Sequence, residues 1–156
     1  FVTEDVSVVL IIDEVLKLLL YRVETEKVRV VRDKRSDFTA PVNRNQIKQV
    51  LLNVVSNALD AMKTAREKIL EIRIVKEDNT LSILIMDTGA GIPSADVGRI
   101  FDPFFTTKPV GEGTGLGLSI SQNIIKKHAG EIKVSSEKGK GTTFDIRLPL
   151  IRSENA

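Results

Sequence analysis

Asp87 ends an alternating run, Leu81-Ser82-Ile83-Leu84-Ile85-Met86, and is followed by Thr88-Gly89-Ala90-Gly91-Ile92-Pro93. A period of two puts Leu81, Ile83, Ile85 and Asp87 on one strand face. A carboxylate is thus carried to the mouth of a core, where it needs a hydrogen-bonding partner. Gly89 and Gly91 remove side chains beside it, so a flat ligand could approach the backbone. A second cluster alternates glycines at 111, 113, 115 and 117, then continues Leu118-Ser119-Ile120-Ser121-Gln122-Asn123-Ile124-Ile125. Backbone amides freed by glycine at a helix N-terminus make a site for phosphate. An acceptor for a base and donors for phosphates on one segment point to a nucleotide. Neither cluster has the P-loop spacing. The stretch before the second, Phe104 to Pro109, is not the strand a dinucleotide fingerprint requires. Taken alone, the second cluster reads equally as a flexible loop.

A third candidate lies upstream, on a helix expected from Gln46 to Thr64 with an apolar stripe of Ile47, Val50, Leu51, Val54, Ala58 and Met62. Asn53, Asn57 and Asp60 stand at i, i+4 and i+7 and share one face. Asparagine costs helix propensity and usually sits outside, so the pair reads either as solvated or as one edge of a polar site. An amide oxygen is a hard ligand suited to Mg²⁺, which keeps several waters and shares its other positions with phosphates. The helix could hold the metal where the glycine amides hold phosphate.

The elements that must position these groups follow from periodicity. Val9, Ile12, Leu16, Leu19 and Val23 predict a core-packing helix from Val6 to Val23, capped by Thr3 or Ser7, with Glu4 and Asp5 at its positive end. A valine-rich strand follows at Lys27 to Arg32, then a polar loop from Asp33 to Pro41, and Asn43 caps the second helix. Ile69 to Val75 and Thr80 to Met86 form one hairpin, Glu131 to Ser136 and Thr142 to Leu148 another. Between them runs a helix from Leu116 that stops at Lys126-Lys127-His128-Ala129-Gly130. Thr142 shares parity with Phe144, Ile146 and Leu148, which points its hydroxyl to the core side with Asp87. Strands and helices do not alternate strictly. The fold class is therefore α+β: a two-layer sandwich in which a mixed, mostly antiparallel sheet of about five strands is covered on one face by about three helices.

Composition narrows the function. One domain over 1–156 is expected. The absence of cysteine excludes disulfides and thiolate metal sites. A net charge of +2 leaves no footprint for nucleic acid. The apolar run Val8 to Leu20 is broken by Asp13, Glu14 and Lys17, so no membrane contact is expected. With no visible signal peptide and a start at Phe1, the chain reads as an excised cytoplasmic domain.

Four stretches together carry a family resemblance. Gln49 to Ala61 resembles the N box of sensor histidine kinases, and Asp87 to Pro93 their first glycine box. Phe101-Asp102-Pro103-Phe104-Phe105 resembles the F box, and Gly111 to Leu118 the second glycine box, all in the family's order. The Phe-Phe-Thr-Thr-Lys segment looks most like sensors of the nitrogen-regulation type. The resemblance implies the Bergerat-type fold shared with gyrase, heat-shock chaperone and mismatch-repair ATPases, and binding of ATP or ADP with Mg²⁺.

It also implies roles. Asn57 would be the Mg²⁺ ligand and Asn53 would lie beside the phosphates, with Asp60 and Ala61 also at the nucleotide. From the first glycine box come Asp87, Gly89, Gly91 and Ile92, with Asp87 accepting from the adenine amino group. Guanine offers an oxygen there, which sets two acceptors face to face. The second glycine box supplies Gly113, Thr114, Gly115, Leu116, Gly117 and Leu118, and Thr142 supports Asp87. Residues 101–115 would be a mobile ATP lid, with Phe101, Phe104 and Phe105 as its core anchors. Some family members carry lysine three residues after the second N-box asparagine. Here Asp60 stands there, so Lys108 of the lid is the substitute cation, ahead of Arg99. Asn53, Asn57 and Lys108 make the catalytic set.

ATPases of this fold place a glutamate one turn before the metal asparagine. Asn53 cannot take a proton, so transfer to a side chain is favoured over hydrolysis. The implied acceptor is a histidine on a separate dimerisation domain of the same protein, a homodimer at full length. Residues 1–5 would be the end of a linker from it. That histidine would then serve a response regulator receiver domain. The alternatives are a conformational ATPase of the same fold and a non-catalytic nucleotide-binding regulator. His128, the only histidine, falls in the last helical turn and reads as structural, a partly charged ring beside Lys126 and Lys127.

Overall fold

A computed structural model of the chain describes residues 1–33 and 37–151. The central sheet has five strands: β2 (Arg29–Arg32), β4 (Ile69–Glu77), β5 (Thr80–Asp87), β7 (Gly141–Pro149) and β6 (Glu131–Glu137), in that spatial order. Only the β2–β4 pair is parallel; the other three pairings are antiparallel. Helices α1 (Val8–Leu18), α3 (Arg44–Ala61) and α5 (Gly117–Lys127) cover one face. Short helices α2 (Leu20–Thr25) and α4 (Ser94–Val97) and a ribbon of β1 (Glu4–Ser7) with β3 (Thr39–Val42) complete it. The α+β two-layer architecture is the expected one.

The sheet's alternation explains where the core sits. On β5, Leu81, Ile83, Ile85 and Asp87 are buried, while Ser82, Leu84 and Met86 on the other face are half-buried. On β7 the buried set is Thr142, Phe144, Ile146 and Leu148. Ile47, Val50, Leu51 and Val54 of α3 and Val8, Ile11, Ile12 and Val15 of α1 fill the space between the layers. Antiparallel register sets Asp87 opposite Thr142, with Leu70 of β4 on its other side.

The N-terminal region departs from expectation. Glu4 and Asp5 lie in β1, which pairs with β3, and three of β3's four residues fall in the stretch expected to be loop. The middle of that loop, 34–36, lies outside the described residues, as does the end of the expected domain, 152–156. Helix α1 starts at Val8, and Ser7, not Thr3, accepts the Leu10 amide at 3.3 Å. Leu19 interrupts the helix, so a second short helix follows rather than one continuous one. The buried stripe is Val8, Ile11, Ile12 and Val15, with Leu16, Leu19 and Val23 only partly buried. Asn43 caps α3 as expected, accepting from the Gln46 amide at 3.1 Å.

His128 is structural, and it is neutral rather than partly charged. The residue is 7% exposed. Nε2 accepts from the Asn43 amide at 3.0 Å and Nδ1 lies 2.8 Å from the Ile124 carbonyl, which fixes the Nδ1–H tautomer. Burial pushes its pKa below the ordinary value, only partly offset by the Ile124 hydrogen bond. The Phe1 ring meets it edge-on at 4.8 Å, and Asn43 Nδ2 donates to the Val2 carbonyl at 3.1 Å. One ring thus ties the ends of α5 and α3 to the N-terminal residues.

This pin has a pH signature. Burial favours the neutral ring, so the unfolded chain binds the extra proton first as pH falls. The ring's contribution is whole above the ordinary value of 6.5 and is lost as pH drops toward the depressed folded value. His128→Gln keeps an acceptor for Asn43 without a titrating ring. Denaturant unfolding from pH 8 to 5 should show wild type losing stability relative to this variant only below about 6.5. Other titrating groups are common to both proteins and cancel in the difference.

Candidate active site

A cleft of about 680 Å³ opens between α3, the ends of β5 and β7, and the segment from Ile100 to Leu118. Its floor is Asp87, which is 8% exposed. The carboxylate accepts from the Gly89 amide at 2.8 Å and from the backbone N–H of Thr142. Burial pushes its pKa up to about 6, against the pull of those two amides. It therefore stays mainly ionised at neutral pH while presenting an acceptor to the cleft.

The glycines around Asp87 are sites of contact, not only of freedom. A Cβ on Gly89 would lie 2.5 Å from the Ala61 carbonyl oxygen, and the neighbouring Ala90 amide bonds that oxygen at 3.1 Å. Gly91, at φ +73°, has room for no Cβ against the Glu137 carbonyl. Ala58, Ala61, Ile92 and Phe144 give the floor apolar walls suited to a flat ring. Gly89 itself stands behind the lining, docking the loop on α3.

Thr142 sits beside Asp87, but its hydroxyl serves another partner. Oγ1 lies 2.8 Å from Ser136 Oγ, which also accepts from the Ile92 amide at 2.7 Å. Ser136 is the residue that sequence reasoning missed. It shares parity with Ile132 and Val134 on β6 and pairs with Thr142 in register. The alternation that singled out Thr142, applied across the hairpin, would have found it.

The opposite end of the cleft is polar. Asn53 and Asn57 project from α3, one turn apart. Asn53 Nδ2 donates to the Gly117 carbonyl and to Ser121 Oγ, both at 3.2 Å. That leaves its amide oxygen free of those contacts and fixes α3 against the start of α5. Gly115, Gly117 and Leu118 line the cleft there, so the first amides of α5 border it. Leu116 is the capping residue and lies behind the lining. Thr114 is in the lining, and its hydroxyl accepts from the Leu116 amide at 3.3 Å.

From 101 to 115 the chain folds over the cleft. Phe101 and Phe105 pack against the core, with the Arg99 guanidinium 4.8 Å over the Phe105 ring. Phe104 does not act as an anchor: it is 74% exposed, at φ +68°, with its amide bonded to the Gly115 carbonyl. Lys108 reaches back to α3, its Nζ 2.5 Å from Asp60 Oδ2 and 3.4 Å from Asn57 Oδ1. Gly113 lies against that lysine's side chain. Asp60 Oδ1 also accepts from Arg22 Nη2 at 2.8 Å. Burial opposes its ionisation, but the hydrogen bonds from Lys108 and Arg22 prevail and hold it below the usual carboxylate range.

The donor set fits a phosphate-borne magnesium. Among the described residues no cluster of three His, Cys, Asp or Glu could cage a metal. An ion here would have Asn57 Oδ1 as an amide ligand and depend on phosphates and water for most of its shell.

Comparison with known proteins assigns the chain to a family. Residues 42–152 match the family described as histidine kinase-, DNA gyrase B-, and HSP90-like ATPase. The chain belongs to that family. Sensor kinase CckA of Brucella abortus is 38% identical over 89% of the chain, and the histidine kinase AtoS of Escherichia coli 47% over 71%. Those matches span 16% and 18% of the relatives' own lengths. The catalytic domain of histidine kinase ThkA superposes with a TM-score of 0.81 at 30% identity, covering 94% of this chain and 96% of that one. Within the family, then, the chain is a histidine kinase ATP-binding catalytic domain. No helix among the described residues is long and apolar enough to cross a membrane.

Ser136→Ala should leave the Ile92 amide without its acceptor. A part-buried N–H so orphaned costs about 1–3 kcal/mol. Amide exchange at Ile92 should quicken and the denaturation midpoint should fall. An unchanged Ile92 exchange rate would show that the hydroxyl does not hold the loop.

Proposed function

We propose that the cleft binds Mg-ATP, with adenine at Asp87 and the phosphates at Asn57, the α5 amides and Lys108. The chain then delivers the γ-phosphoryl group to a histidine on a dimerisation domain of the same protein. In the full-length homodimer that histidine would pass the group to a response regulator receiver domain. The placement is cytoplasmic, where ATP is available.

The observation that carries this reading is the pairing of a buried acceptor at one end of the cleft with amide and cationic groups at the other. Asp87 takes the adenine amino group and turns away guanine, whose oxygen would face the carboxylate. Thr142 holds Asp87 in line through its backbone. Asn57 offers a neutral oxygen to the metal, which when bound neutralises charge on the phosphates. The α5 amides orient the phosphate chain by hydrogen bonds. Asn53 braces α3 against α5 and, being an amide, takes no proton from water. Of the cleft carboxylates, Asp87 is committed to the base and Asp60 to two cations, while Glu112 stands exposed on the glycine-rich segment rather than on α3 one turn from Asn57. These features favour transfer over the conformational-ATPase reading.

His128 is not the acceptor. It lies at the far end of α5, eleven residues of helix from the second glycine box, on the order of 15 Å at 1.5 Å rise per residue. Both ring nitrogens are engaged. Incubated with γ-labelled ATP, the lone chain should remain unlabelled and should label a supplied dimerisation domain bearing a histidine. Label on the lone wild type that disappears in His128→Ala would overturn this reading.

Asp87 gives a binding test with a pH arm. The adenine amino group favours the ionised carboxylate, so ATP affinity should be full above about 6 and weaken as pH falls through that value. Asp87→Asn should weaken ATP roughly tenfold or more through the lost charge-assisted hydrogen bond, and abolish that pH dependence. Calorimetry showing equal affinity in both proteins would remove Asp87 from the base site.

A further inference from the structure

Asp60 carries one cation on each oxygen, and the two cations are held very differently. Arg22 of α2 is anchored: Nε and Nη2 reach Glu26 at 2.9 and 3.2 Å, and Nη1 reaches Ser56 Oγ at 3.2 Å. It also donates to Asp60 Oδ1 at 2.8 Å. Lys108 belongs to the glycine-rich lid. Among the described residues, the lid's backbone bonds beyond Phe105 are local, such as that from the Glu112 N–H to the Pro109 carbonyl. Its ammonium is the group by which that stretch grips α3. Both side chains of the pair are partly sheltered, 33% exposed for Lys108 and 22% for Asp60.

We propose that Asp60, fixed by Arg22, is a positioning residue that parks the Lys108 ammonium beside Asn57 and yields it to the phosphates of a bound nucleotide. The proposal rests on the Mg-nucleotide reading above and adds a competitor to it. A polyphosphate carries more charge than one carboxylate, so it draws the ammonium away. Arg22 stays on Asp60, so the departure does not leave a half-buried carboxylate bare. Lys108 also shares Asn57 Oδ1 with the proposed metal position, and two cations at one oxygen repel. Metal–phosphate binding and release of the lysine therefore favour each other. Asp60 would thus set how readily the lid engages nucleotide, where a lysine at that position would contact phosphate directly.

Two measurements on the same proteins test this. Without nucleotide, lid amides 106–114 should exchange several-fold faster in Asp60→Asn and in Lys108→Met, and no faster in the double variant. Asp60→Glu should restore slow exchange. With Mg²⁺, Asp60→Asn should bind ATP more tightly than wild type, roughly threefold or more, because the competitor is gone. That gain should be absent for adenosine and absent in the Lys108→Met background. Melting curves check that the isosteric Asn variant remains folded. A gain that survives in the Lys108→Met background would mean Asp60 merely repels phosphate, and the parking role would be wrong. Unchanged lid exchange in Asp60→Asn with normal ATP binding would overturn the proposal alone. Wild type that binds no adenine nucleotide would overturn the nucleotide reading and the release step with it.

Discussion

The structure depends on keeping one carboxylate charged inside a hydrophobic core. Asp87 ends the central strand among Leu70, Phe144 and Ile85, where desolvation works against its ionisation. Two backbone N–H groups, from Gly89 and Thr142, supply the compensation. Those donors reach it only if the chain after β5 turns back at once and the start of β7 lies alongside. Each close approach is made over bare backbone. A Cβ on Gly141 would lie 2.0 Å from the Asp87 carbonyl oxygen, and one on Gly91 2.2 Å from that of Glu137. The glycines here are a steric requirement of satisfying Asp87.

The cleft's second half solves the opposite electrostatic problem. Asp60 is only partly sheltered and has a cation on each oxygen, which holds its pKa down, whereas Asp87 has neutral donors and a raised pKa. As pH falls, Asp87 protonates first and Asp60 keeps its charge. Asp87 and Asp60 are therefore not interchangeable. One presents an acceptor held by neutral donors, and the other holds two cations.

Much of this was legible because a sheet advertises its faces. The period-two runs at Leu81–Asp87 and Thr142–Leu148 placed Asp87 and Thr142 on the core side, and register made them neighbours. The capping of α3 by Asn43 was legible for the same local reason. The N-terminal region was not. From Val6 to Ile12 every residue but Ser7 is apolar, so the run carries no phase and cannot announce where strand becomes helix. Strands of four residues, β1 and β3, are too short to show alternation against that background. Arg22 lies on the short helix after the break at Leu19, which the apolar run does not announce. Its pairing with Asp60, 38 residues on, has no local signature at all. Lys108 was singled out as a phosphate candidate, but its contact with Asp60 depends on how the lid folds, which spacing does not encode.

These differences divide the site by stiffness as well as by chemistry. The Asp87 end is built from strand register, backbone amides and glycine contacts, and Asn53 locks α3 to the start of α5 through Gly117 and Ser121. Moving any of these parts breaks backbone pairing or opens a packed contact. The lid is attached otherwise. Phe101 and Phe105 root one end in the core and the Phe104–Gly115 bond closes its base, while the stretch between is tied to α3 by a single lysine side chain. Ion pairs that are partly solvated are worth little and exchange partners readily. Under the proposed function, the rigid half would align the base and the weakly tethered half would adjust at the phosphates, where charge must be rearranged during transfer. The attachments of that segment, two aromatic roots and one ion pair, are separate from the hydrogen bonds that hold Asp87.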